Sequence, residues 1–344
     1  MTDEERASAD ESLPPASDSL QRGRIEAPRL VVAGASGDAG KTTVCIGLLR
    51  ALRSRGLAVQ AFKKGPDYID AAWLSRASDG TARNLDVYLC GERGVQTAFL
   101  RHAAGVDCSV IEGSRGLLDG IDAQGTFSTA RLARLLDSPV VLIVSASKVT
   151  RTAAAVVQGV KTLEPGLRLD GVVLNGLSGE RHRKVTSRAI EESTGVPMLG
   201  CLPHVRAASM PLRHLGLVTP AEYQVADQLM DSLERLITEN VDLDAMLQVA
   251  RRAPCVIPGA SPLSASRVRT CSNVRIGILH DSAFTFYYPE NLEQLEQLGA
   301  TLVPISALES SEVPNVDALY IGGGFPETHA RALASNRPLL RSIR

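Results

Sequence analysis

The sequence predicts an α/β protein built on a doubly wound, mostly parallel sheet, followed by a second and incomplete α/β unit. Short β-branched runs alternate with longer amphipathic stretches over residues 29–240, as in repeated βαβ units. The run PVVLIV at 139–144 is apolar throughout, which is typical of a strand covered by helices on both faces. The same alternation restarts near residue 274.

The elements follow in chain order from these runs. In the first unit we predict strands at 30–33, 58–62, 109–111, 140–144, 171–174 and 198–202, and helices at 42–55, 129–136, 152–160 and 184–193. In the second we predict strands at 275–279, 301–304 and 318–321 and a helix at 290–298. The predicted domains are a disordered polar tail (1–27), a first domain (28–250), a Pro- and Ser-rich linker (251–273) and an incomplete second domain (274–344).

Composition excludes several classes of protein. Lysine and arginine number 37 against 38 acidic residues in a chain of 344, so no basic excess favours a nucleic-acid partner. No apolar stretch approaches the ~20 residues that span a bilayer, and the first residues lack the pattern of a secretory signal. The six cysteines form no close-set pair, which favours free thiols. We therefore expect a cytoplasmic protein with no nucleic-acid or membrane partner.

The strongest chemical signal lies where the first predicted strand meets the first predicted helix, in GASGDAGKTT (34–43). Glycines there let backbone N–H groups surround phosphate oxygens, and the helix N-terminus adds partial positive charge. We expect ATP at this loop, with Lys41 on the phosphates and the Thr42 hydroxyl on Mg²⁺. The predicted ATP-binding residues are Gly37, Asp38, Ala39, Gly40, Lys41, Thr42 and Thr43. A plain glycine-rich turn that caps a helix is the alternative, and the ordered strand, loop and helix argue against it.

Acidic residues follow the next two predicted strands. AFKKGPDYIDAAWL (61–74) holds Asp67 and Asp70, and IEGSRGLLDG (111–120) holds Glu112 and Asp119. The carboxyl ends of parallel strands form the ligand-binding edge of such sheets, so we expect these acids beside the glycine loop, with Glu112 as a magnesium ligand. Each acid also has an ordinary interpretation, as part of a turn or as a helix cap.

Together these motifs resemble those of the cobyrinic acid a,c-diamide synthase family. Five residues separate Gly34 from Gly40, a spacing similar to the variant phosphate loop of dethiobiotin synthetase and its relatives. The matching runs are FKKGPDYID, RNLD (83–86), IEGSRGLLDG, STARLARLL (128–136), GVVLN (171–175), RHLGLV (213–218) and FYYPENLEQLEQLGA (286–300). IGGGFPETHA (321–330) resembles the opening of that family's glutamine amidotransferase domain, so the resemblance covers residues 29–344.

The resemblance implies a P-loop NTPase fold of the dethiobiotin synthetase type and an ATP-dependent carbon–nitrogen ligase. Such a ligase amidates the a and c acetate side chains of cobyrinic or hydrogenobyrinic acid through acyl phosphates, with ammonia from glutamine. The same resemblance implies a role for each candidate residue. Lys41 and Lys63 would contact the transferred phosphoryl group, and Asp67, Asp70 and Asp119 would lie at the reaction centre. The substrate would be bound by Tyr68, Asp70 and Ser128, the adenine edge by Asn175, and the Mg²⁺ ion by Thr42 and Glu112. A helix cap competes with this role for Ser128, and a strand-end turn competes for Asn175.

One departure concerns the second domain. Class I glutaminase domains need a cysteine nucleophile and a partner histidine, and no cysteine follows Cys271 in these residues. We therefore expect a truncated chain, or a glutaminase half located elsewhere, and amidation from free ammonia rather than from glutamine.

Several alternatives stay open on the sequence: a nickel-sirohydrochlorin a,c-diamide synthase, a dethiobiotin synthetase-like ligase, a P-loop switch ATPase and a non-catalytic binding module. A homodimer is expected from related synthetases.

Overall fold

The computed structural model describes residues 25–204, 212–213, 216–256 and 273–344. Most of the predicted tail, most of the predicted linker and two of the six residues of the RHLGLV motif lie outside the described residues. The predicted domain bounds therefore stay predictions.

Seven parallel strands form the main sheet, in the order β3-β2-β4-β1-β5-β6-β7. They are β1 (Arg29–Gly34), β2 (Val59–Lys64), β3 (Arg83–Leu85), β4 (Cys108–Gly116), β5 (Val140–Ser145), β6 (Leu169–Leu177) and β7 (Met198–Pro203). Strand β1 lies at the centre, and all six of its residues are buried. A central parallel strand requires cover on both faces, which explains its uninterrupted apolar run.

Eight helices cover the two faces of this sheet in the described part of the chain. They are α1 (Lys41–Ser54), α2 (Ile69–Ser78), α3 (Val87–Ala103), α4 (Thr129–Leu135), α5 (Arg151–Leu163), α6 (Glu180–Thr194), α7 (Ala226–Asn240) and α8 (Leu243–Arg251). One buried core includes side chains of α1, α2, α7 and α8, such as Trp73 and Leu233. The other includes side chains of α3 to α6, such as Phe99 and Ile190. The predicted doubly wound fold is confirmed.

Some elements were not among those predicted. Strand β3 has only three residues, too few to show a period, and its pairing with β2 forms it. Helix α3 begins at the residue after Asp86, whose carboxylate accepts hydrogen bonds from the N–H groups of Tyr88 and Leu89. The helix is interrupted at Gly91, where φ is 66°. Helices α7 and α8 pack on the sheet through one apolar face each.

A second parallel sheet has the order β11-β10-β12 and follows the predicted linker in the chain. Its strands are β10 (Arg275–Leu279), β11 (Thr301–Ile305) and β12 (Ala318–Ile321), and its helices are α9 (Pro289–Gln297), a 3₁₀ turn (Pro326–His329), α10 (Ala330–Ser335) and α11 (Arg337–Ile343). A short hairpin, β8 (Leu212–Arg213) with β9 (Gly216–Leu217), precedes α7. Within the described ranges, no helix is long and apolar enough to cross a membrane.

Candidate ATP and carboxylate site

The glycine loop joins β1 to α1 at the carboxyl edge of the main sheet. Gly40 precedes the helix with a φ of 98°, a left-handed conformation that favours glycine. A Cβ on Gly40 would lie 2.3 Å from Nδ2 of Asn175. That nitrogen donates a hydrogen bond to the Ala39 carbonyl at 2.9 Å, so Asn175, on β6, supports the loop from below.

Lys41 begins helix α1 and folds over the loop. Its Nζ donates to the Gly37 carbonyl at 2.7 Å, and the side chain is largely buried. Burial lowers the pKa of Lys41, with Glu112 opposing that shift. The lysine is therefore held at the loop by weak neutral acceptors, which phosphate oxygens would replace with stronger, charged ones. Asp38 is exposed beside it, and Thr43 is half-buried on the first turn of the helix.

A continuous line of polar contacts runs from this loop to the next strands. Thr42 Oγ1 donates to Oε1 of Glu112 at 2.6 Å. Lys63 lies opposite Glu112 in the β2–β4 register, and its Nζ reaches Oε1 of Glu112 at 3.2 Å and Oδ2 of Asp70 at 2.5 Å. Strand pairing thus brings Lys63 against Glu112, and the first turns of α1 and α2 add Thr42 and Asp70 to the same group.

Burial dominates the electrostatics of this line. It raises the pKa of Glu112 to about 7, and the nearby Lys63 opposes that rise. The pKa of Lys63 is raised despite its own burial, because Glu112 and Asp70 favour the charged ammonium. Oε2 of Glu112 is buried and has no hydrogen-bond partner in the described structure. An orphaned buried carboxylate oxygen beside the Thr42 hydroxyl fits a divalent cation, since Mg²⁺ is usually bound by one or two carboxylates together with phosphates.

Asp67 lies on the turn that follows β2, and Asp70 lies on the first turn of α2. Oδ1 of Asp67 accepts the N–H of Asp70 at 2.9 Å, and burial raises the pKa of Asp67. Asn84, which was given no role from the sequence, donates from Nδ2 to the carbonyls of Gly65 at 2.8 Å and Asp67 at 2.9 Å. Asn84 thus lies on β3 and stabilises the turn after β2. The only sequence signal for this role was that Asn84 is part of the RNLD motif.

Tyr68, predicted to bind substrate, contacts the second unit. Its ring stacks on Phe286 and Tyr288, with centroid distances of 4.9 and 4.5 Å. Nearby, Arg83 Nη2 pairs with Glu293 of α9 at 2.6 Å. Aromatic rings of the second sheet's unit thus cover Tyr68, at the start of α2.

Asp119 and Ser128 are not part of the polar contacts that link Thr42, Glu112, Lys63 and Asp70. Oδ2 of Asp119 accepts the backbone N–H of Gly116 at 2.9 Å, which fixes the loop after β4, and the residue remains exposed. Ser128 is buried, and its Oγ accepts the N–H of Arg131 at 3.3 Å. The helix cap, the competing interpretation for Ser128, is thus the role that its contacts fit.

The chemistry open to this arrangement follows from its charges. The glycine loop, Lys41 and a cation bound beside them would neutralise the charge of a triphosphate. Lys63 would stabilise the negative charge that develops on a phosphoryl group during its transfer. The carboxylates after β2 can accept a proton from a reactant that binds beside them.

Comparisons with known proteins agree on one family. Residues 30–218 match the CobQ/CobB/MinD/ParA nucleotide binding domain, and residues 275–344 match the CobB/CobQ-like glutamine amidotransferase domain. The chain is 42% identical over 320 residues to the cobyrinate a,c-diamide synthase of Magnetococcus marinus, covering 92% of this chain and 68% of that protein. Proteins of the same name from Syntrophotalea carbinolica and Archaeoglobus fulgidus are 40% and 39% identical, over 93% of this chain and 69% of each relative.

Among solved structures, chloroplast FtsY from Physcomitrella patens is similar with a TM-score of 0.41 and 14% identity, over 62% of this chain and 67% of that one. This likeness is too low to carry a conclusion.

Proposed function

The chain belongs to the cobyrinate a,c-diamide synthase family, and from that premise we propose that it amidates the a and c acetate carboxylates of cobyrinic acid at the expense of ATP. The observation that carries the proposal is the line of contacts Thr42–Glu112–Lys63–Asp70 beside the glycine loop. The shared name of the relatives favours cobyrinic acid over nickel-sirohydrochlorin, and favours a ligase over a small-diamine enzyme or a switch ATPase.

The reaction proceeds in two steps. A substrate carboxylate oxygen attacks the γ-phosphorus of ATP, the bond to the β,γ-bridging oxygen breaks, and an acyl phosphate and ADP form. Ammonia then attacks the acyl carbon, phosphate leaves, and the nitrogen loses a proton to yield the amide. Both reactants of the first step are anionic, so alignment and charge neutralisation are the main tasks of the site.

The residues divide these tasks. The loop amides and Lys41 bind the phosphates, Asn175 supports the loop at the adenine side, and Lys63 approaches the transferred phosphoryl group. Thr42 and Glu112 would hold Mg²⁺, which neutralises phosphate charge when it is bound. Asp70 orients Lys63 through its 2.5 Å contact.

Asp67 and Asp119 are proposed to orient ammonia or to accept its proton. Tyr68 is proposed to contact the substrate. Ammonia is supplied by glutamine or as free ammonium. A cytoplasmic location and a homodimer remain predictions.

The test of this proposal is a Lys41→Ala variant assayed with cobyrinic acid, ATP, Mg²⁺ and ammonium, with product masses as the readout. We expect ATP-dependent amidation to fall by roughly a hundredfold or more, because the charge that balances the phosphates is lost. Lys184→Ala, at an exposed lysine on α6, is the matched control and keeps full activity. Unchanged turnover in Lys41→Ala, or a wild-type chain that forms no amide, would refute the proposal.

A further inference from the structure

Three consecutive aromatic residues of the second unit, Phe286, Tyr287 and Tyr288, contact both units of the molecule. We call residues 286–288 the aromatic segment. Its side chains alternate in direction, as they do along an extended backbone. Phe286 and Tyr288 stack on Tyr68 of the first unit, whereas Tyr287 is buried against the second sheet. One short run of chain thus joins the second sheet to the start of α2.

The second unit holds the aromatic segment in place from its own side. The Tyr287 hydroxyl donates to the carbonyl of Leu279, at the end of β10, and accepts the N–H of Gly322, directly after β12, at 2.8 Å. The N–H of Phe286 donates to the carbonyl of Gly323 at 2.9 Å. A Cβ on Gly322 would lie 2.5 Å from Cζ of Tyr287, so this close approach requires glycine. The segment is therefore positioned by contacts that do not depend on the first unit.

The aromatic segment meets the first unit directly after the turn at residues 65–67. The Tyr68 ring lies 4.9 Å from the ring of Phe286, with an angle of 6° between their planes, and 4.5 Å from the ring of Tyr288. Tyr68 follows Asp67, whose carboxylate accepts the N–H of Asp70 at 2.9 Å. Stacked rings of this size restrict each other's position. Holding the Tyr68 ring therefore also restricts where the neighbouring carboxylates lie.

An ion pair attaches the second unit beside the same turn. Arg83, on β3, is buried, and its guanidinium lies 2.6 Å from Oε1 of Glu293 and 3.7 Å from Oε1 of Glu290. Both acids are on α9, which begins directly after the aromatic segment. Arg83 precedes Asn84, the residue whose amide holds the carbonyl of Asp67 from β3. The second unit thus grips the first at two points that border one turn.

Tyr288 is also placed among the acids of the first unit by its electrostatics. Burial raises the pKa of Tyr288, and so do its hydrogen bond with Tyr68 and the nearby carboxylates of Asp86 and Asp67. Its phenol therefore keeps its proton at neutral pH. Tyr288 belongs to the second unit in sequence and to the surroundings of Asp67 in space.

We propose that Phe286 and Tyr288 are positioning residues of the amidation site: by stacking on Tyr68 they hold Asp67 and the start of α2 in the geometry that the reaction needs. The inference rests on the proposed function, because it adds residues to the site of that same reaction. A second unit that only supplied ammonia would leave the reaction with free ammonium independent of these ring contacts. A second unit that holds the turn makes that reaction depend on them, although it contributes none of the reacting atoms.

The experiment uses the full chain with cobyrinic acid, ATP, Mg²⁺ and ammonium, and no glutamine. Tyr288→Leu is the test variant, and Tyr288→Phe is the conservative variant that keeps the ring. Tyr320→Leu is the matched control, since Tyr320 is a half-buried tyrosine of β12 whose ring meets Tyr287, with centroids 5.2 Å apart. The readouts are kcat and KM for cobyrinic acid, affinity for ATP, and amide hydrogen exchange of residues 65–72. Thermal unfolding verifies that each variant is folded.

We expect Tyr288→Leu to lower kcat/KM for cobyrinic acid by roughly tenfold, because small displacements of a positioned group are costly to the rate. Exchange at residues 65–72 becomes faster, since the turn loses a contact that orders it. Affinity for ATP stays at the wild-type value, because the glycine loop is supported from β6 instead. Tyr288→Phe and Tyr320→Leu keep kcat/KM close to that of the wild type.

The outcomes separate this inference from the proposed function. If the wild-type chain amidates cobyrinic acid and Tyr288→Leu does so equally well, the positioning role is refuted and the proposed function stands. A loss in Tyr320→Leu or in Tyr288→Phe as large as that in Tyr288→Leu also refutes it, because the effect would not follow the stacked ring. A wild-type chain that forms no amide refutes the proposed function. Hydrogen exchange then decides alone, and an unchanged rate at residues 65–72 in Tyr288→Leu rejects the ordering of the turn as well.

Discussion

Replacing Lys63 with methionine measures how much the lysine charge contributes to stability at the centre of the site. Lys63→Met keeps most of the aliphatic stem but removes the ammonium that contacts Glu112 at 3.2 Å and Asp70 at 2.5 Å. Lys63 is 2% exposed and Glu112 is fully buried, so water does not replace the lost partner. In the variant, no cation offsets the desolvation cost of the Glu112 and Asp70 carboxylates.

The size of the effect follows from burial. Removing one member of a buried ion pair costs about 3–5 kcal/mol, because the remaining charge stays desolvated. Asp70 keeps 18% of its side chain exposed and Glu112 is free to take up a proton, so we expect a loss at or just below the lower end of that range, about 2–3 kcal/mol at pH 8.

The loss has a definite dependence on pH. Burial raises the pKa of Glu112 from 4.5 to about 7 while Lys63 opposes the rise, so removing Lys63 raises this pKa further. The raised pKa means that the folded state binds the proton more tightly than the unfolded chain, and stability falls as pH rises from 4.5 through the folded pKa. The variant continues to lose stability above pH 7, where the wild type levels off. The difference between them is therefore greater at pH 8 than at pH 6.

Urea unfolding of wild type and Lys63→Met at pH 6 and pH 8 measures this difference. Lys64→Met is the matched control for stability, since its ammonium neighbours the same strand end without a carboxylate contact, and it should lose less than about 1 kcal/mol. A loss below about 1 kcal/mol in Lys63→Met at both pH values, or a loss that shrinks as pH rises, would refute the account of a buried, lysine-compensated acid.

Three further predictions concern the loop, the metal and the turn. Gly40→Ala should abolish binding of a fluorescent ATP analogue and cost about 1–3 kcal/mol, because its φ of 98° is strained for alanine and the added Cβ lies 2.3 Å from an amide nitrogen. Affinity for Mg²⁺–ATP, measured by calorimetry, should rise roughly tenfold from pH 6 to pH 8, because a protonated Glu112 does not ligate the ion. Asn84→Ala removes two hydrogen bonds to the turn at residues 65–67; it should cost about 1–3 kcal/mol in urea unfolding and raise the KM for cobyrinic acid.

Each has a result that counts against it. Gly37→Ala, where a Cβ meets no atom within 4 Å, is the stability control for the loop, and equal losses in the two glycine variants would contradict the argument from Gly40. An affinity for Mg²⁺–ATP that does not change between pH 6 and pH 8 would contradict the assignment of Glu112 as a metal ligand. An unchanged KM in a destabilised Asn84→Ala would leave that residue with a purely structural role.

The sequence predicted most of the fold because its signals are local. Apolar runs such as 139–144 need buried parallel strands, and the strand, glycine loop and helix at 30–55 form within one stretch of chain. Strand β3 escaped prediction because three residues show no period, and only its pairing with β2 makes it a strand. Helix α7 packs against α1, which lies much earlier in the chain, so no local sequence pattern indicates this contact.

For the site, the sequence determined which chemical groups the carboxyl edge of the sheet carries: a phosphate loop, a lysine and several acids. Tertiary structure alone decided which of them touch. The register of β2 against β4 places Lys63 against Glu112, and the turn after β2 returns Asp70 to the same ammonium. Tyr68 meets rings from the second unit, more than two hundred residues later in the chain. Contact between distant residues depends on strand order and register, which are set by packing of the whole sheet rather than by any single segment.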